Sequence, residues 1–396
     1  MKMKCLIADN FPEKYIQYLR DIDIEVIFEP KLGENDLPGK IKGIDILVVR
    51  STIVNAETIQ ASDNLNLVIR AGAGVNNINI AEANKKGIYV ANCPGKNAIA
   101  VAELAMGLII SLDRKIPDNV IDFRNGVWNK GVYSKAEGLY GKTLAIIGVG
   151  NIGKEVAKRA LAFGMNVYGK DISRIEGVAI KDFSEMDQVL PIADIVSIHL
   201  PSTPQTKGFF NEQMFGYLKK GALLINTSRA DVIDETAMLK AIEEKNIRVG
   251  LDVFKGEPEG KAGDVSSPLQ ENKNIYVTHH IGASTEQAQN AVAEETVNII
   301  ENFLNSGVIS HWVNRTKIAD AHYQLTVKHF DKPGVLASIL DVLRHGDINI
   351  EEVENIIFEG GLVALCTMKL KVGATDDMLK TIRSNPNVLQ VSHVKF

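Results

Sequence analysis

Short apolar runs alternate with amphipathic segments along the first part of the chain. Five of these runs have the length and the turn boundaries of strands: KCLIAD, IEVIFE, DILVVR, NLVIRAG and GIYVAN. Apolar residues at helical spacing separate them, near 12–20, 34–41, 55–61 and 79–87. Strands that alternate with helices in this way predict a parallel, doubly wound sheet. A long apolar helix is predicted over 97–115, followed by an irregular arm over 116–140.

A second alternating region starts at residue 143, where the strand TLAII leads into the glycine-rich loop GVGNIG and then into a helix. The next strand runs into Asp171. Four more strands follow, DIVSI, ALLIN, RVGL and IYVT, which predict a second doubly wound sheet. Ser284, with Gln287 three residues later, predicts a capped helix that ends near Asn305 and packs back on the first sheet.

The glycine-rich loop has the spacing of a dinucleotide-binding fingerprint. Gly148 permits the tight turn, Gly150 lets the backbone approach a pyrophosphate, and Gly153 lets the helix pack closely on the strand. Asp171, at the end of the next strand, is placed to accept both hydroxyl groups of the adenosine ribose. Its charge would repel a 2′-phosphate, which favours NAD over NADP, although Arg174 nearby leaves NADP as an alternative.

Composition and charge narrow the class of protein. The 396 residues carry a formal net charge of -5 and show no basic run, which argues against nucleic acid or a membrane surface as the partner. No apolar run approaches the roughly 20 residues of a membrane span, and the first residues lead into a strand rather than forming a signal peptide. Cys5, Cys93 and Cys366 lie far apart and show no metal-binding spacing. A cytoplasmic protein without a metal site is therefore expected.

Polar residues close every strand that follows the fingerprint. In chain order they are His199-Leu200-Pro201, Thr227-Ser228-Arg229, Asp252 with Glu257 in the loop beyond it, and His279-His280-Ile281-Gly282. Because the parallel strands of a doubly wound sheet end at one edge, we predict that these groups meet beside the nicotinamide of a bound dinucleotide.

Three of these side chains suit hydride transfer between a dinucleotide and a 2-oxo acid. The guanidinium of Arg229 can hold the substrate carboxylate and polarise the carbonyl. The imidazole of His280 can give or take the proton of the 2-hydroxyl group, while the carboxylate of Glu257 orients that ring and raises its pKa. Each residue alone could be structural, as His279 is expected to be, but the three together predict catalysis.

Two arginines end strands of the first region. Arg50 is followed by Ser51 and Thr52, and Arg70 is followed by the small residues 71–74. Arginine pairs well with phosphate or carboxylate, and the glycines allow backbone N–H groups to point at an anion. We therefore predict that this edge holds an anionic substrate. The alternative is that each arginine makes a surface salt bridge.

Taken together, the motifs resemble those of the D-2-hydroxyacid dehydrogenase family, and most closely those of its members that act on 3-phosphoglycerate. The matching stretches cover nearly all of 1–310: VVRST, RAGAGVNNIN, NAIAVAEL, GKTLAIIGVGNIGKEVA, NTSRADVID, LDVFKGEP and HHIGASTEQAQ. The resemblance implies a discontinuous, flavodoxin-like substrate domain, 1–96 with 281–312. It also implies an inserted NAD-binding Rossmann domain, 97–280, and dimers formed through 97–140.

The same resemblance assigns residues to roles. Arg229, Glu257 and His280 match the catalytic positions, and Ala230 replaces the glycine that usually follows the arginine. The implied substrate contacts are Arg50, Ser51, Arg70, Ala73 and Gly74. The implied cofactor contacts are Gly148, Gly150, Asn151, Ile152, Gly153, Asp171, His199, Leu200, Pro201, Thr227, Ser228, Asp252, Gly282 and Ala283, with Asp252 near the nicotinamide amide.

The last part of the chain reads as a separate unit. After a polar linker over 314–321, the pattern is βαββαβ, which predicts a ferredoxin-like domain over 320–396. DKPGVL and Asn349 resemble an ACT domain, which implies L-serine bound between two such domains around His329, Asp331 and Asn349. Asp331 stands where serine-sensitive enzymes often carry Asn. The alternative is a module that serves assembly only.

These observations predict an NAD-dependent oxidation of 3-phosphoglycerate to 3-phosphohydroxypyruvate, the first step of phosphorylated serine biosynthesis, by a homodimer or homotetramer. Its partner would be a small phosphorylated 2-hydroxy acid. Two alternatives stay open: a glycerate or hydroxypyruvate reductase, which would not need Arg50 and Arg70, and a non-catalytic regulator that senses NAD(H).

Overall fold

The computed structural model describes residues 2–258, 263–316 and 321–396. The first 92 residues form a five-stranded parallel sheet in the order β2-β1-β3-β4-β5, as the alternation predicts. Its strands are β1 Lys4–Ile7, β2 Glu25–Phe28, β3 Ile46–Val49, β4 Leu67–Arg70 and β5 Tyr89–Asn92. The helices between them are α1 Glu13–Asp21, α2 Leu37–Lys40, α3 Ala56–Ala61 and α4 Ile80–Lys86.

The second sheet has seven parallel strands in the order β12-β11-β10-β9-β6-β7-β8. They are β6 Thr143–Ile147, β7 Asn166–Lys170, β8 Lys181–Asp182, β9 Ile195–Ile198, β10 Leu223–Asn226, β11 Arg248–Leu251 and β12 Ile275–Val277. The two-residue strand β8 is absent from the sequence prediction because it carries no apolar run. The order in which the strands follow one another reverses between β6 and β9, and doubly wound sheets bind dinucleotides at such a switch point.

Helices cover both faces of the second sheet and join it to the first. They are α5 Ala98–Arg114, α6 Ile116–Arg124, α7 Lys130–Tyr133, α8 Asn151–Ala162, α9 Met186–Val189, α10 Glu212–Tyr217, α11 Glu235–Lys245 and α12 Glu286–Ser306, with a 3-10 turn at Ala230–Val232. The prediction of an irregular arm over 116–140 was wrong in part, since α6 and α7 lie within it. Neither helix has a buried residue, so neither shows the apolar periodicity by which a helix is recognised.

The helix α12 returns to the first sheet, as predicted. Val292, Val297, Ile299 and Ile300 lie in the same apolar cluster as the buried residues of β1, β3 and β4. The predicted cap was wrong by one residue: Thr285 accepts a hydrogen bond from the backbone of Ala288 at 3.1 Å. Residues 284 and 285 can both cap a helix, so the sequence alone does not distinguish them, and the hydrogen bond shows that Thr285 is the cap.

The C-terminal unit is an antiparallel sheet in the order β14-β15-β13-β16 with two helices, which is the predicted ferredoxin-like arrangement. Its elements are β13 Tyr323–Phe330, α13 Val335–His345, β14 Ile350–Ile357, β15 Val363–Leu370, α14 Asp376–Ser384 and β16 Val388–Lys395. The chain divides into compact units at residues 314 and 315. The predicted boundaries at 96 and 280 stay predictions, and the one at 320 lies outside the described residues, as does part of the predicted linker.

Within the described ranges, no helix is long and apolar enough to cross a membrane. The same ranges contain no cluster of three or more His, Cys, Asp or Glu residues arranged to hold a metal ion. Cys5, Cys93 and Cys366 are buried thiols.

Candidate active site

The glycine-rich loop packs so closely that larger residues do not fit at two of its positions. Gly148 has a φ of 92°, and a Cβ atom there would lie 2.6 Å from the carbonyl oxygen of His199. A Cβ atom on Gly153 would collide with the carbonyl oxygen of Gly148. Gly150, at the start of α8, has open space above it among the described residues. The backbone N–H groups at the start of α8, with Asn151 and Ile152, therefore face a region that can receive a pyrophosphate.

The carboxylate expected to bind the ribose lies where β7 ends. Asp171 is half-buried and accepts a hydrogen bond from the backbone of Ser173 at 3.0 Å. The exposed side chain of Arg174 lies 3.7 Å from Glu176 in an ion pair. The positive charge that could favour a 2′-phosphate thus has a carboxylate partner of its own.

A half-buried histidine follows β9 at the switch point of the sheet. His199 lies with Nε2 2.8 Å from the hydroxyl of Ser197, and no described residue pairs with its buried Nδ1. Burial lowers the pKa of His199 to about 4, so the ring is neutral at physiological pH. Leu200 packs beside Gly148, and the carbonyl of Pro201 accepts a hydrogen bond from Thr206. This loop therefore presents apolar side chains together with Nδ1 of His199, a polar atom that has no partner among the described residues.

The turn after β10 is held by a residue that the sequence analysis missed. Asn226 is fully buried; its Nδ2 donates to the carbonyl of Arg229 at 2.9 Å, and its Oδ1 accepts from both the backbone and the hydroxyl of Ser228. The hydroxyl of Thr227 is buried, with no partner in the described part of the chain. The one polar residue in the strand LLIN is the signal that could have identified Asn226.

His280 and Glu257, 23 residues apart in sequence, meet in the structure. His280 Nδ1 lies 2.7 Å from Glu257 Oε2, and Glu257 Oε1 accepts the backbone N–H of Phe254 at 2.8 Å. The hydrogen bond to Glu257 raises the pKa of His280, and the charge of Asp252 adds to this, whereas burial and Arg229 oppose it. Since 56% of the His280 side chain is exposed, the ring remains accessible to a substrate.

The loop that carries His280 is pinned by Asp252, which is fully buried after β11. Its Oδ1 accepts from the hydroxyl of Thr278 at 2.6 Å and from the backbone of Ile281 at 2.9 Å, and its Oδ2 accepts from the backbone of Gly282 at 2.8 Å. A Cβ atom on Gly282 would lie 2.9 Å from that second oxygen. These bonds hold His280 at a φ of 51°, a left-handed conformation that costs energy for a residue other than glycine.

Three arginines from the two sheets form a cluster. The guanidinium of Arg229, from the second sheet, lies against the backbone of Gly74, from the first, and donates to the carbonyl of Ser228 at 2.7 Å. The guanidinium of Arg70 lies over Gly72, and its buried Nε has no partner among the described residues. Burial, with the charges of Arg229 and Arg50, lowers the pKa of Arg70 to about 10. A cluster of like charges with an unsatisfied donor fits an anionic ligand.

The remaining predicted substrate residues surround this cluster. Ser51 donates its hydroxyl to Asp9 at 3.1 Å, and the carbonyl of Ala73 accepts from Asn92. The guanidinium of Arg50 reaches the carbonyl of Ala283 at 3.4 Å, across the cleft and three residues beyond His280. The loops of the first sheet thus meet the loop of the second sheet that carries His280.

The predicted effector residues do not converge within one chain. His329 is buried and donates from Nδ1 to the carbonyl of Phe330 at 2.8 Å, and Asp331 is exposed just beyond it. Asn349 precedes Ile350, which pairs with Leu370 at the other end of the sheet. The six residues that separate these ends along β13 correspond to about 20 Å. A single chain therefore cannot surround one small ligand with all three side chains.

Comparison with known proteins agrees with this geometry. Residues 106–282 match the family described as D-isomer specific 2-hydroxyacid dehydrogenase, NAD binding domain. The D-3-phosphoglycerate dehydrogenase of Methanocaldococcus jannaschii is 34% identical over 388 residues, 96% of this chain and 72% of the relative. The hydroxypyruvate reductase of Thermotoga maritima is 40% identical over 293 residues, 74% of this chain and 95% of the relative.

A solved structure shows the same likeness. The NAD+-bound 3-phosphoglycerate dehydrogenase of Entamoeba histolytica matches with a TM-score of 0.67 and 28% identity over 80% of this chain and 99% of that one. A doubly wound nucleotide-binding sheet with an arginine, a glutamate and a histidine at one edge fits a dehydrogenase of hydroxy acids, the class to which these relatives belong. The chain belongs to the D-isomer specific 2-hydroxyacid dehydrogenases and is an oxidoreductase that uses NAD. This assignment removes the alternative of a non-catalytic regulator.

Proposed function

We propose that the chain oxidises 3-phosphoglycerate to 3-phosphohydroxypyruvate with NAD, at the first step of phosphorylated serine biosynthesis. The observation that carries this proposal is the cluster of Arg50, Arg70 and Arg229 beside the His280–Glu257 pair. A substrate with both a phosphate and a carboxylate carries enough negative charge to balance three guanidinium groups. The 34% identity to a curated phosphoglycerate dehydrogenase over nearly the whole chain supports the same assignment.

The anionic groups of the substrate would be divided among the arginines. Arg50 and Arg70, with the backbone of the loop at Ala73 and Gly74, would hold the phosphate and limit its position. Ser51 would support the turn that carries Arg50, because its backbone N–H and its hydroxyl both donate to Asp9. Arg229 would bind the carboxylate and polarise the C2 oxygen, because its planar guanidinium can donate two parallel hydrogen bonds.

His280 would act as the acid–base group. In the oxidation, its Nε2 takes the proton of the 2-hydroxyl group while the hydride leaves C2; in the reduction, it returns that proton to the carbonyl oxygen. Glu257 can only accept at 2.7 Å, so it keeps the proton of the ring on Nδ1 and leaves Nε2 for the substrate. Asp252 and Asn226 would hold the loops that carry His280 and Arg229.

NAD, when bound, supplies the nicotinamide ring that accepts the hydride. We propose that the backbone at Gly148, Gly150, Asn151, Ile152 and Gly153 holds the pyrophosphate and that Asp171 holds the ribose. The nicotinamide would lie among His199, Leu200, Pro201, Thr227, Ser228, Asp252, Gly282 and Ala283. The unsatisfied hydroxyl of Thr227 and Nδ1 of His199 fit a polar ligand at this edge.

Reduction of hydroxypyruvate is the second candidate function. The relative with this activity is 40% identical and is covered over 95% of its length. The same acid–base pair and Arg229 would serve that substrate, but Arg50 and Arg70 would then face no phosphate.

The test is the oxidation of NADH by the purified chain with 3-phosphohydroxypyruvate, hydroxypyruvate and 2-oxoglutarate compared side by side. We expect kcat/KM to be highest for the phosphorylated substrate, and we expect Arg50→Ala to remove this preference. A preference for hydroxypyruvate that Arg50→Ala leaves unchanged would favour the reductase instead.

We also propose that the chain assembles as a homodimer or homotetramer through the segment 97–140, which includes the arm over 116–140. This arm exposes 71% of Phe123, 80% of Trp128 and 88% of Tyr140, an apolar surface of the kind that subunit interfaces cover. L-serine would act as an effector at a site between two C-terminal units, since His329 and Asn349 lie at opposite ends of one sheet.

A further inference from the structure

The first sheet has its own switch point: the order in which its strands follow one another reverses between the neighbouring strands β1 and β3. In open α/β sheets a ligand commonly binds in the crevice at such a point. Here the crevice is filled from within the chain: Asp9, just after β1, projects beneath the turn Arg50-Ser51-Thr52, just after β3.

Asp9 saturates that turn with hydrogen bonds. One oxygen, Oδ2, accepts the backbone N–H groups of Arg50 at 2.7 Å, Ser51 at 3.0 Å and Thr52 at 3.0 Å. The other oxygen, Oδ1, accepts the hydroxyl of Ser51 at 3.1 Å, and only 6% of the residue is exposed. Three N–H groups that converge on one point form an anion site. Because the carboxylate already occupies it, a substrate anion must bind above the turn, through side chains.

The hydrogen bonds of Asp9 restrict the conformation of Arg50. Its backbone is fixed by the shortest of the three bonds, and its guanidinium crosses the cleft to the carbonyl of Ala283 in the loop that carries His280. Asp9 is also the carboxylate whose charge acts on Arg70 against the charges of Arg50 and Arg229. The position of Asp9 therefore fixes the backbone of Arg50, from which the guanidinium of this residue extends into the arginine cluster.

We propose that Asp9 is a positioning residue for substrate binding: it fixes the turn 50–52 so that the guanidinium of Arg50 faces the anionic group of the substrate. The role follows from the direction of its hydrogen bonds rather than from its charge. This inference depends on the proposed function for one point, which is that the anion bound by Arg50 is the phosphate of the substrate.

Four variants of the full chain separate hydrogen bonding from charge. Asp9→Ala removes the acceptor, Asp9→Asn keeps one acceptor oxygen in place without charge, and Asp9→Glu keeps the charge but moves it by one methylene. The matched control is Asp45→Ala at the opposite end of β3, where Asp45 accepts the backbone N–H of Lys4 at 2.8 Å. KM and kcat for the 2-oxo acid that the wild-type chain reduces fastest, and Kd for NADH, are measured for each.

We expect Asp9→Ala and Asp9→Glu to raise KM about tenfold or more with a smaller change in kcat, because a misplaced guanidinium loses binding to substrate and transition state alike. Asp9→Asn should keep KM within about threefold of the wild-type value, because its amide oxygen can still accept the three N–H groups. Asp45→Ala should leave KM unchanged, and Kd for NADH should be the same in all four.

The proposal is overturned if Asp9→Ala keeps the wild-type KM, if Asp45→Ala raises KM equally, or if Asp9→Asn is as impaired as Asp9→Glu. Should Asp9→Ala fail to fold, the comparison of Asn with Glu at position 9 still decides. In the Arg50→Ala background, Asp9→Asn and Asp9→Glu should have the same KM, since the group to be positioned is gone. A wild-type preference for hydroxypyruvate would overturn the phosphorylated substrate but leave this test intact.

Discussion

Two histidines at the same edge of the second sheet have pKa values shifted in opposite directions. Burial lowers the pKa of His199 to about 4, and Nε2 of its ring lies 2.8 Å from the hydroxyl of Ser197. The hydrogen bond that His280 donates to Glu257 raises the pKa of His280, which is more exposed. The same residue type is therefore held in its neutral form by burial at one position and favoured in its protonated form by Glu257 at the other.

Glu257→Gln should shift the pH profile of catalysis to lower pH. The amide cannot favour the protonated ring as a carboxylate does, so the pKa of His280 should fall towards its ordinary value of about 6.5 or below. Oxidation, which needs the neutral ring, should then begin at lower pH, and reduction, which needs the protonated ring, should be lost at lower pH. The measurement is kcat/KM against pH in both directions.

An unshifted profile in Glu257→Gln would contradict the role of Glu257. The raised pKa also makes the free energy of unfolding depend on pH. Because the pKa of His280 is higher in the folded state than in the unfolded state, the His280–Glu257 pair stabilises the protein below about pH 6.5. This stabilisation is lost as the pH rises through the folded-state pKa.

At the scale of elements, two glycines at the start of α8 are explained by different causes, close packing for Gly153 and space for a ligand for Gly150. Gly153 has no room for a side chain because Gly148 lies against it, which is a matter of packing. Gly150 has open space above it and an extended backbone that alanine can adopt, so the protein itself does not require glycine there. A bound pyrophosphate would occupy that space.

Alanine at these two positions should therefore have different effects. Gly153→Ala should lower the free energy of unfolding by about 1–3 kcal/mol, because the added methyl group overpacks the strand–helix contact. Gly150→Ala should leave the free energy of unfolding near the wild-type value but weaken NADH binding about tenfold or more, because the methyl group keeps the phosphates from the backbone. Chemical denaturation and NADH titration measure the two quantities; equal effects of both variants on stability would refute the distinction.

At the scale of the molecule, every residue proposed to bind substrate or cofactor lies in the unit over 1–314, with Arg229 against Gly74 and Arg50 against Ala283 across its cleft. The C-terminal unit has its own apolar core between its sheet and helices. Catalysis and any effector response should therefore be separable.

A chain that ends at Thr316 should retain turnover with the preferred 2-oxo acid, at a kcat within about threefold of the full chain, because the proposed site is complete in it. L-serine should lower the turnover of the full chain and leave that of the shortened chain unchanged, and Asn349→Ala in the full chain should abolish the response. A shortened chain that binds NADH but has no turnover would show that the C-terminal unit contributes to catalysis.

Much of the architecture is predictable because its causes are local. Alternating apolar runs and amphipathic segments specify strands and helices, and parallel strands must end at one edge, so the meeting of Arg229, Glu257 and His280 could be expected. Short elements without a buried face, such as α6, α7 and β8, escaped prediction because they leave no periodic signal.

The sequence by itself thus determined the two doubly wound sheets, the glycine-rich loop and the ferredoxin-like unit, since spacing along the chain carries that information. Only the tertiary structure decided that Asp9 fills the turn at Arg50, that Asp252 pins the His280 loop, and that His329 and Asn349 lie at opposite ends of one sheet. These contacts join residues whose separation in sequence does not encode their distance in space. They depend on which strands become neighbours and in which register.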